Sequence, residues 1–368
     1  MKKISSFEYN SMIWFIIRGG YIGLTLSNLI LVCEQDSWFS AIIATVLGFI
    51  PLFIFNYLKN FDSSMSITEL NIFTLGKFGK FINFLLAIGG LIFCLILFVD
   101  LTNFIYSQFL FKTNTLFISI CFIIPLLYIL FKGINAISKT SLLLFYLVIF
   151  TIIFIITGLF SGLDINNLQP FLRHSAFQMF HGSFIMIAYN VLPLVFLLCI
   201  PKNKISNDDG KKSLIFYLLA MLSLANAAFL TIGVLGVPLS TLFKYPEFHL
   251  LKKLQMGEFI NRLESILSLE WVVALFLLLC IGMFFVNDLM KKNFNLKEKN
   301  SKAVIIFSCI ILLCLNGSVF ENNTEIINFL QGPMIFIVFG FFFIIPFITF
   351  IACLINRFYN KDSYRGNH

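Results

Sequence analysis

The chain has 368 residues, of which 59% are hydrophobic and 12% charged, and its mean hydropathy is +0.93. Soluble domains carry about a quarter charged residues, so this composition cannot cover a water-facing surface; a soluble enzyme, a disordered chain and a secreted disulfide scaffold are excluded. The formal charge of +8 points to membrane topology rather than a nucleic-acid partner, because the basic residues sit in short segments between long apolar runs.

A helix needs about 20 apolar residues to cross a bilayer core of roughly 30 Å. Ten runs meet that need: 9–32, 38–58, 81–107, 114–131, 141–160, 181–200, 213–237, 265–287, 302–319 and 333–356. They are continuous rather than alternating, which sets aside a β-barrel. The predicted fold is an all-α polytopic membrane protein of ten spans. Of the 26 Lys and Arg residues, 19 then fall in inner segments and 6 in outer ones, with Arg18 inside a span. This bias predicts a cytoplasmic N-terminus (1–8) and a cytoplasmic tail (357–368). The start MKKISSFEYN runs straight into the first span, so no removed signal peptide is expected.

In chain order, the first run reads WFIIRGGYIGLTLSN and places Arg18, Gly19, Gly20 and Gly23 near mid-membrane. Glycine costs about 1 kcal/mol in a helix interior, so this is a poor continuous helix and a good unwound turn. The inner segment 64–80 reads as a short surface helix that Thr68 and Glu69 start. The third run carries Asp100, and residues 161–180 form an outer loop. The sixth run, GSFIMIAYNVLPLVF, is interrupted by Asn190 and Pro193, whose ring removes a helix hydrogen bond. A kinked but intact helix would explain either break alone.

The two breaks occupy matching places if the chain divides into five-helix repeats, 9–160 and 181–356. Inverted repeats with interrupted first and sixth helices put a substrate site at the midplane. Free N–H groups there suit a carboxylate and free carbonyls suit an ammonium, the two ends of a zwitterionic amino acid.

Arg18 within a span must pair or reach water. Asp100 and Glu270 are its intramembrane acidic candidates, and Asp100 is the expected partner. A static lock without a ligand role is the competing explanation. The predicted ligand-binding set is Arg18, Gly19, Gly20, Tyr21, Gly23, Thr25, Asp100, Tyr189, Asn190 and Glu270, with Asn28, Asn103 and Tyr106 as further polar lining. The outer segment 238–264 repeats apolar residues at helical spacing through Phe248, Leu251, Leu254, Phe259, Ile260 and Leu263, opposite Lys252, Lys253, Glu258 and Arg262. It reads as one or two amphipathic helices on the outer surface, a cover, a gate or a partner surface. The eight cysteines form no CxxC and the four histidines no metal-ligand cluster with them. With no GxxxxGK[ST], HExxH or GxSxG, the sequence offers neither an enzyme site nor a cofactor site.

Four stretches carry a resemblance: CEQDSWFSAII (33–43), GKFGKFINFLL (76–86), LDINNLQPFL (163–172) and YPEFHLLKKLQMGEFINRLESILSLEWVV (245–273). Their order and spacing, over about residues 4–356, resemble the B subunit of spore nutrient-germinant receptors, a family similar to the amino acid–polyamine–organocation transporters. The resemblance implies ten helices in two inverted repeats, residence in the inner spore membrane, and assembly with an A-type subunit and a C-type lipoprotein. It further implies recognition of a small nutrient, often an amino acid, that signals germination. The family's unwound segments map onto Gly19, Gly20 and Gly23 and onto Ile187–Asn190. Arg18 departs from the small neutral residue expected beside that break. A secondary transporter of amino acids or polyamines shares the fold and is the alternative; a scaffold for an A-type subunit is a third reading.

Overall fold

A computed structural model describes residues 3–21, 23–159, 162–253, 268–316 and 323–365. The chain enters through a two-residue strand, β1 (Ile4–Ser5), that pairs in parallel with β2 (Ile205–Ser206), Ile4 opposite Ile205. Ser5 then caps α1 (Ser6–Gly19) in a reciprocal box: the Glu8 amide donates to Ser5 Oγ at 3.2 Å and the Ser5 amide to Glu8 Oε2 at 2.8 Å. The first span resumes as α2 (Leu26–Cys33). α3 (Ser37–Leu47) and α4 (Phe49–Phe61) follow end to end and form the second rod.

The short helix expected in 64–80 is α5 (Ile67–Leu75), and it starts one residue earlier than Thr68 because Ser66 and Glu69 make the capping box. Three long helices follow: α6 (Lys77–Gln108), α7 (Thr115–Lys132) and α8 (Ile134–Leu159). α9 (Ala176–Met186) passes into a π-turn at Ile187–Val191 and a 3-10 stretch at Leu192–Cys199. α10 (Gly210–Leu242) kinks at Gly236, whose φ of 75° an L side chain rarely adopts, and leads to the short helix α11 (Pro246–Leu251). The rest is α12 (Leu269–Asn293), α13 (Glu298–Leu315), α14 (Asn323–Gln331), α15 (Pro333–Phe339) and, past a π-turn at Gly340–Ile344, α16 (Ile345–Arg365).

Among the described residues, each of the ten expected spans overlaps helix, without all ten qualifying as membrane-crossing. Among the described residues, eight helical stretches are long and apolar enough to cross a membrane, so the chain is an integral membrane protein. Of the expected spans, the first is cut into 14 and 8 residues. The ninth, α13, has 18 residues and carries Glu298, Lys299 and Lys302.

α12 packs along α6 and α1, and α10 packs on α3 and α1. The Ala176–Cys199 rod has 94% of its most apolar window buried, whereas Ile134–Leu159 has 12%. The irregular sixth span is thus buried in the bundle, and α8 is largely exposed on its surface.

Two of the distinctive sequence stretches meet at one end of the bundle. Asp36 accepts the Leu172 amide at 2.7 Å and the His174 amide at 3.0 Å, and Gln35 donates to the Pro170 carbonyl at 3.2 Å. These bonds tie the turn between α2 and α3 to the loop before α9. In the outer segment, Phe248 and Leu251 are buried and Lys252 and Lys253 exposed, as the helical spacing predicts. Leu254, Glu258, Phe259, Ile260, Arg262 and Leu263 lie outside the described residues.

Candidate functional site

The first helix breaks where the glycines sit. Gly19 ends α1 because it packs on the next helix: a Cβ there would lie 2.7 Å from both the Ala274 carbonyl oxygen and the Leu278 Cβ. A Cβ on Gly20 would collide with the Tyr189 carbonyl, and one on Gly23, at φ 69°, with the Asp100 carboxylate. The chain re-enters helix when the Thr25 and Leu26 amides donate to the Tyr21 carbonyl at 3.1 and 3.0 Å.

The sixth helix meets this break with its π-turn. Widening to Ile187–Val191 and tightening from Leu192 lets Pro193 occupy the first turn of the 3-10 stretch, where its missing N–H is tolerated. Asn190 Nδ2 donates to the Ile17 carbonyl at 2.6 Å. The Thr25 hydroxyl lies 2.7 Å from the Gly20 carbonyl and 2.8 Å from Asn190 Oδ1 and serves one of them at a time. The main-chain carbonyls expected to grip a solute are therefore capped by Asn190 and Thr25. No hollow separates Gly20 from Tyr189, and Tyr189 turns its hydroxyl to the Leu330 carbonyl at 2.6 Å.

The buried charges pair differently from expectation. Arg18 takes Glu270, not Asp100: its Nε and Nη2 both lie 2.6 Å from Glu270 Oε1, and Nη1 donates to Ser223 Oγ at 2.9 Å. The reason is packing. Gly19 draws α1 onto α12, which carries Glu270, while Asp100 is set against Gly23 beyond the break. Asp100 instead accepts the Tyr245 hydroxyl at 3.1 Å and has Lys244 Nζ at 4.0 Å. Asp100 Oδ2 and Glu270 Oε2 have no partner among the described residues.

The open space lies on the other side of the break. A cavity of about 50 Å³ is walled by Arg18 and Tyr21, by Ser223, Asn226 and Thr231 of α10, by Glu247, Leu250 and Leu251 of α11, by Glu270 and Trp271, and by Ile152, Ile155 and Ile156 of α8. It exceeds the ~10–15 Å³ that one water requires and falls below the ~300–1,000 Å³ of drug-sized pockets. A wider groove of about 340 Å³ between α1, α4 and the 192–199 stretch is walled mainly by aliphatic and phenyl groups. Its Lys59 is already held by Asp208 at 2.8 Å.

The predicted residues thus fall into three groups. Arg18, Tyr21 and Glu270 line the cavity; Gly19, Gly20, Thr25, Tyr189 and Asn190 lock the two irregular helices together; Gly23 and Asp100 form an adjoining cluster with Tyr245. Of the further polar candidates, Asn28 bonds back to the Leu24 carbonyl at 2.7 Å and Tyr106 is exposed. Sequence reasoning missed Glu247, Ser223, Asn226, Thr231 and Trp271. Ser223 and Asn226, three apart on one helix face, were a readable signal. Glu247 was not, since an acid just after Pro246 reads as an ordinary helix start. It is 4% exposed and neither carboxylate oxygen meets a hydrogen-bond partner. Burial pushes this carboxyl up to about 8, only partly opposed by its own backbone N–H.

A family model described as "Spore germination protein" matches residues 3–324. The chain belongs to this spore germination family. Among relatives in the family, spore germination protein A2 of Bacillus subtilis (strain 168) is 24% identical over 250 residues, 67% of this chain and 66% of its own length. Spore germination protein XB of Bacillus anthracis is 22% identical over 57% of this chain and 59% of its own length. Spore germination protein KB of Bacillus subtilis (strain 168) is 23% identical over 55% of each. The match thus spans two thirds or less of these relatives. Among solved structures, a manganese transporter of Eremococcus coleocola aligns over 94% of this chain and 84% of that one with a TM-score of 0.53 at 12% identity. The germination-family chain therefore has a transporter-like fold. Among its described residues no group of three His, Cys, Asp or Glu side chains is placed to hold a metal ion.

Proposed function

We propose that this chain is the membrane subunit of a spore germinant receptor, which recognises a small nutrient, an amino acid, in the cavity beside the broken first helix and signals germination. One observation carries the reading: a cavity within the helix bundle bordered by the unwound turn at Tyr21 and by the charged pair Arg18–Glu270. Ionisable groups so placed in a membrane protein mark ligand or ion pathways. The fold is read as ten spans in two inverted five-helix repeats, 9–160 and 181–356, with both termini cytoplasmic. The chain would reside in the inner spore membrane with A-type and C-type lipoprotein partners.

In this reading the cavity is the closed form of the site. A nutrient binds by parting α11 from the break, and the Asn190 and Thr25 caps keep the two irregular helices joined while it does so. The test is the germination dose response of spores carrying Asn226→Leu, which fills the cavity without touching the Arg18–Glu270 pair. A shift in the half-maximal nutrient concentration at an unchanged protein level supports the reading. An unchanged curve counts against this cavity.

The transporter-like fold favours a second reading, a secondary transporter of amino acids or polyamines. Accumulation of labelled amino acid by proteoliposomes holding this chain alone would select it.

A further inference from the structure

We propose that Glu247 is the counter-ion for a ligand ammonium group, so that the cavity takes a small protonated amine by its charged end. This rests on the cavity being the ligand site and names the chemistry it selects.

The charges around the cavity do not cancel. Arg18 is spent on Glu270 at 2.6 Å and on Ser223 at 2.9 Å. Lys244 stands 4.0 Å from Asp100, and the Tyr245 hydroxyl also turns to Asp100. The Tyr21 hydroxyl is given to the Leu224 carbonyl at 3.0 Å. One carboxyl, Glu247, a residue of the cavity wall, is left buried at 4% exposure with neither oxygen partnered among the described residues. The α8 and α10 walls bring no titratable group to it.

An unpaired buried carboxyl gives no stability to a fold. It has two ways to be satisfied: keep a proton, or receive a cation. An anion would add charge of the wrong sign, since Arg18, the one guanidinium among the described residues of the wall, is already paired. A neutral solute would leave the carboxyl as it is. An ammonium matches it, and Trp271 and Tyr21 bring aromatic side chains to the same wall. The isoleucines of α8 and the leucines of α11 accommodate a short apolar tail, and the volume of about 50 Å³ limits its length.

Binding is then an exchange. The empty site holds a neutral carboxylic acid at neutral pH, because burial raises its proton affinity. The amine arrives as an ammonium, the carboxyl gives its proton to water, and the carboxylate and ammonium pair. No covalent bond between heavy atoms forms or breaks. The pull falls on α11, the helix that carries Glu247.

The test uses the full chain in lipid nanodiscs and three probes of similar size: propylammonium, propan-1-ol and propionate. Thermal unfolding and titration calorimetry in buffers of differing ionisation enthalpy are read. The proposal predicts that propylammonium alone raises the unfolding midpoint, releasing close to one proton at pH 7 and far less at pH 9. Glu247→Gln should keep the ligand-free midpoint and weaken propylammonium binding by about 30-fold or more; Glu247→Asp should retain measurable binding. Equal binding of propanol, or undiminished binding to Glu247→Gln, overturns the proposal. Absence of propylammonium binding also overturns it. If Asn226→Leu still shifts the nutrient response in spores, only the amine assignment falls; if it does not, the cavity reading falls with it.

Discussion

Arg18 and Glu270 meet at 2.6 Å across 252 residues of sequence, with two guanidinium nitrogens on the same carboxylate oxygen. This contact fastens the half-helix before the break to α12, the helix packed along both α1 and α6. Breaking a buried pair from one side costs about 3–5 kcal/mol, because the other charge is left uncompensated. Arg18→Met and Glu270→Met alone should each lower the thermal midpoint in nanodiscs sharply. The double variant should recover most of that loss. A double variant as unstable as the sum of the singles would show that the two side chains act independently.

Asn190 and Thr25 hold the break: Asn190 caps the Ile17 carbonyl at 2.6 Å, and Thr25 lies 2.7 Å from the Gly20 carbonyl and 2.8 Å from Asn190 Oδ1. Asn190→Ala leaves the Ile17 carbonyl buried without its donor, a cost of about 1–3 kcal/mol. Hydrogen exchange should accelerate for amides on either side of the break, near residues 17–26 and 187–192, and stay unchanged in α7 and α13. Uniform acceleration throughout the bundle would contradict this local role.

Asp36 organises the outer loop by accepting two backbone amides and contacting His174 Nδ1 at 3.1 Å. Hydrogen bonds to a charged group contribute about 1.5–3 kcal/mol. Asp36→Ala should therefore release residues 164–174 and expose the bond after Arg173 to trypsin. Unaltered cleavage kinetics would show that the loop is held by other contacts.

Glu69 closes the cap of α5. Partial burial works against its ionisation, but the Ser66 hydroxyl and amide and the Lys292 ammonium, at 3.6 Å, hold the carboxyl below its ordinary value of 4.5. A depressed carboxylate contributes stability that is complete above the unfolded value and is lost as pH falls through the folded one. Protection of the α5 amides, measured against unstructured peptide at the same pH, should fall as the solution is acidified below about pH 4.5. Glu69→Gln should exchange faster at neutral pH and respond less to acid. A flat profile in the parent protein would contradict the capping role.

The architecture was legible because its signals are long and local. Twenty-residue apolar runs gave the spans, the Gly19–Gly20–Gly23 cluster gave the first break, and Asn190 with Pro193 gave the irregular sixth helix. The pairing of charges was not legible. Asp100 and Glu270 are equally admissible by depth, and the choice between them depends on Gly19 drawing α1 onto α12, a contact between distant residues. β1–β2 was equally hidden, since two-residue strands carry no periodic signal. The cavity escaped for the same reason: its walls come from five separate parts of the chain, and Glu247 becomes unusual only when its surroundings are known to lack a cation.

The central claim is that a nutrient binds in the cavity bordered by Tyr21, Asn226, Glu247 and Glu270. It is tested most directly by thermal unfolding of the purified chain in nanodiscs with the nutrient that germinates the parent spores. The account predicts a rise in midpoint that grows with nutrient concentration and is abolished by Asn226→Leu. A nutrient that triggers germination yet leaves the midpoint of the parent chain unmoved at saturating concentration would contradict it.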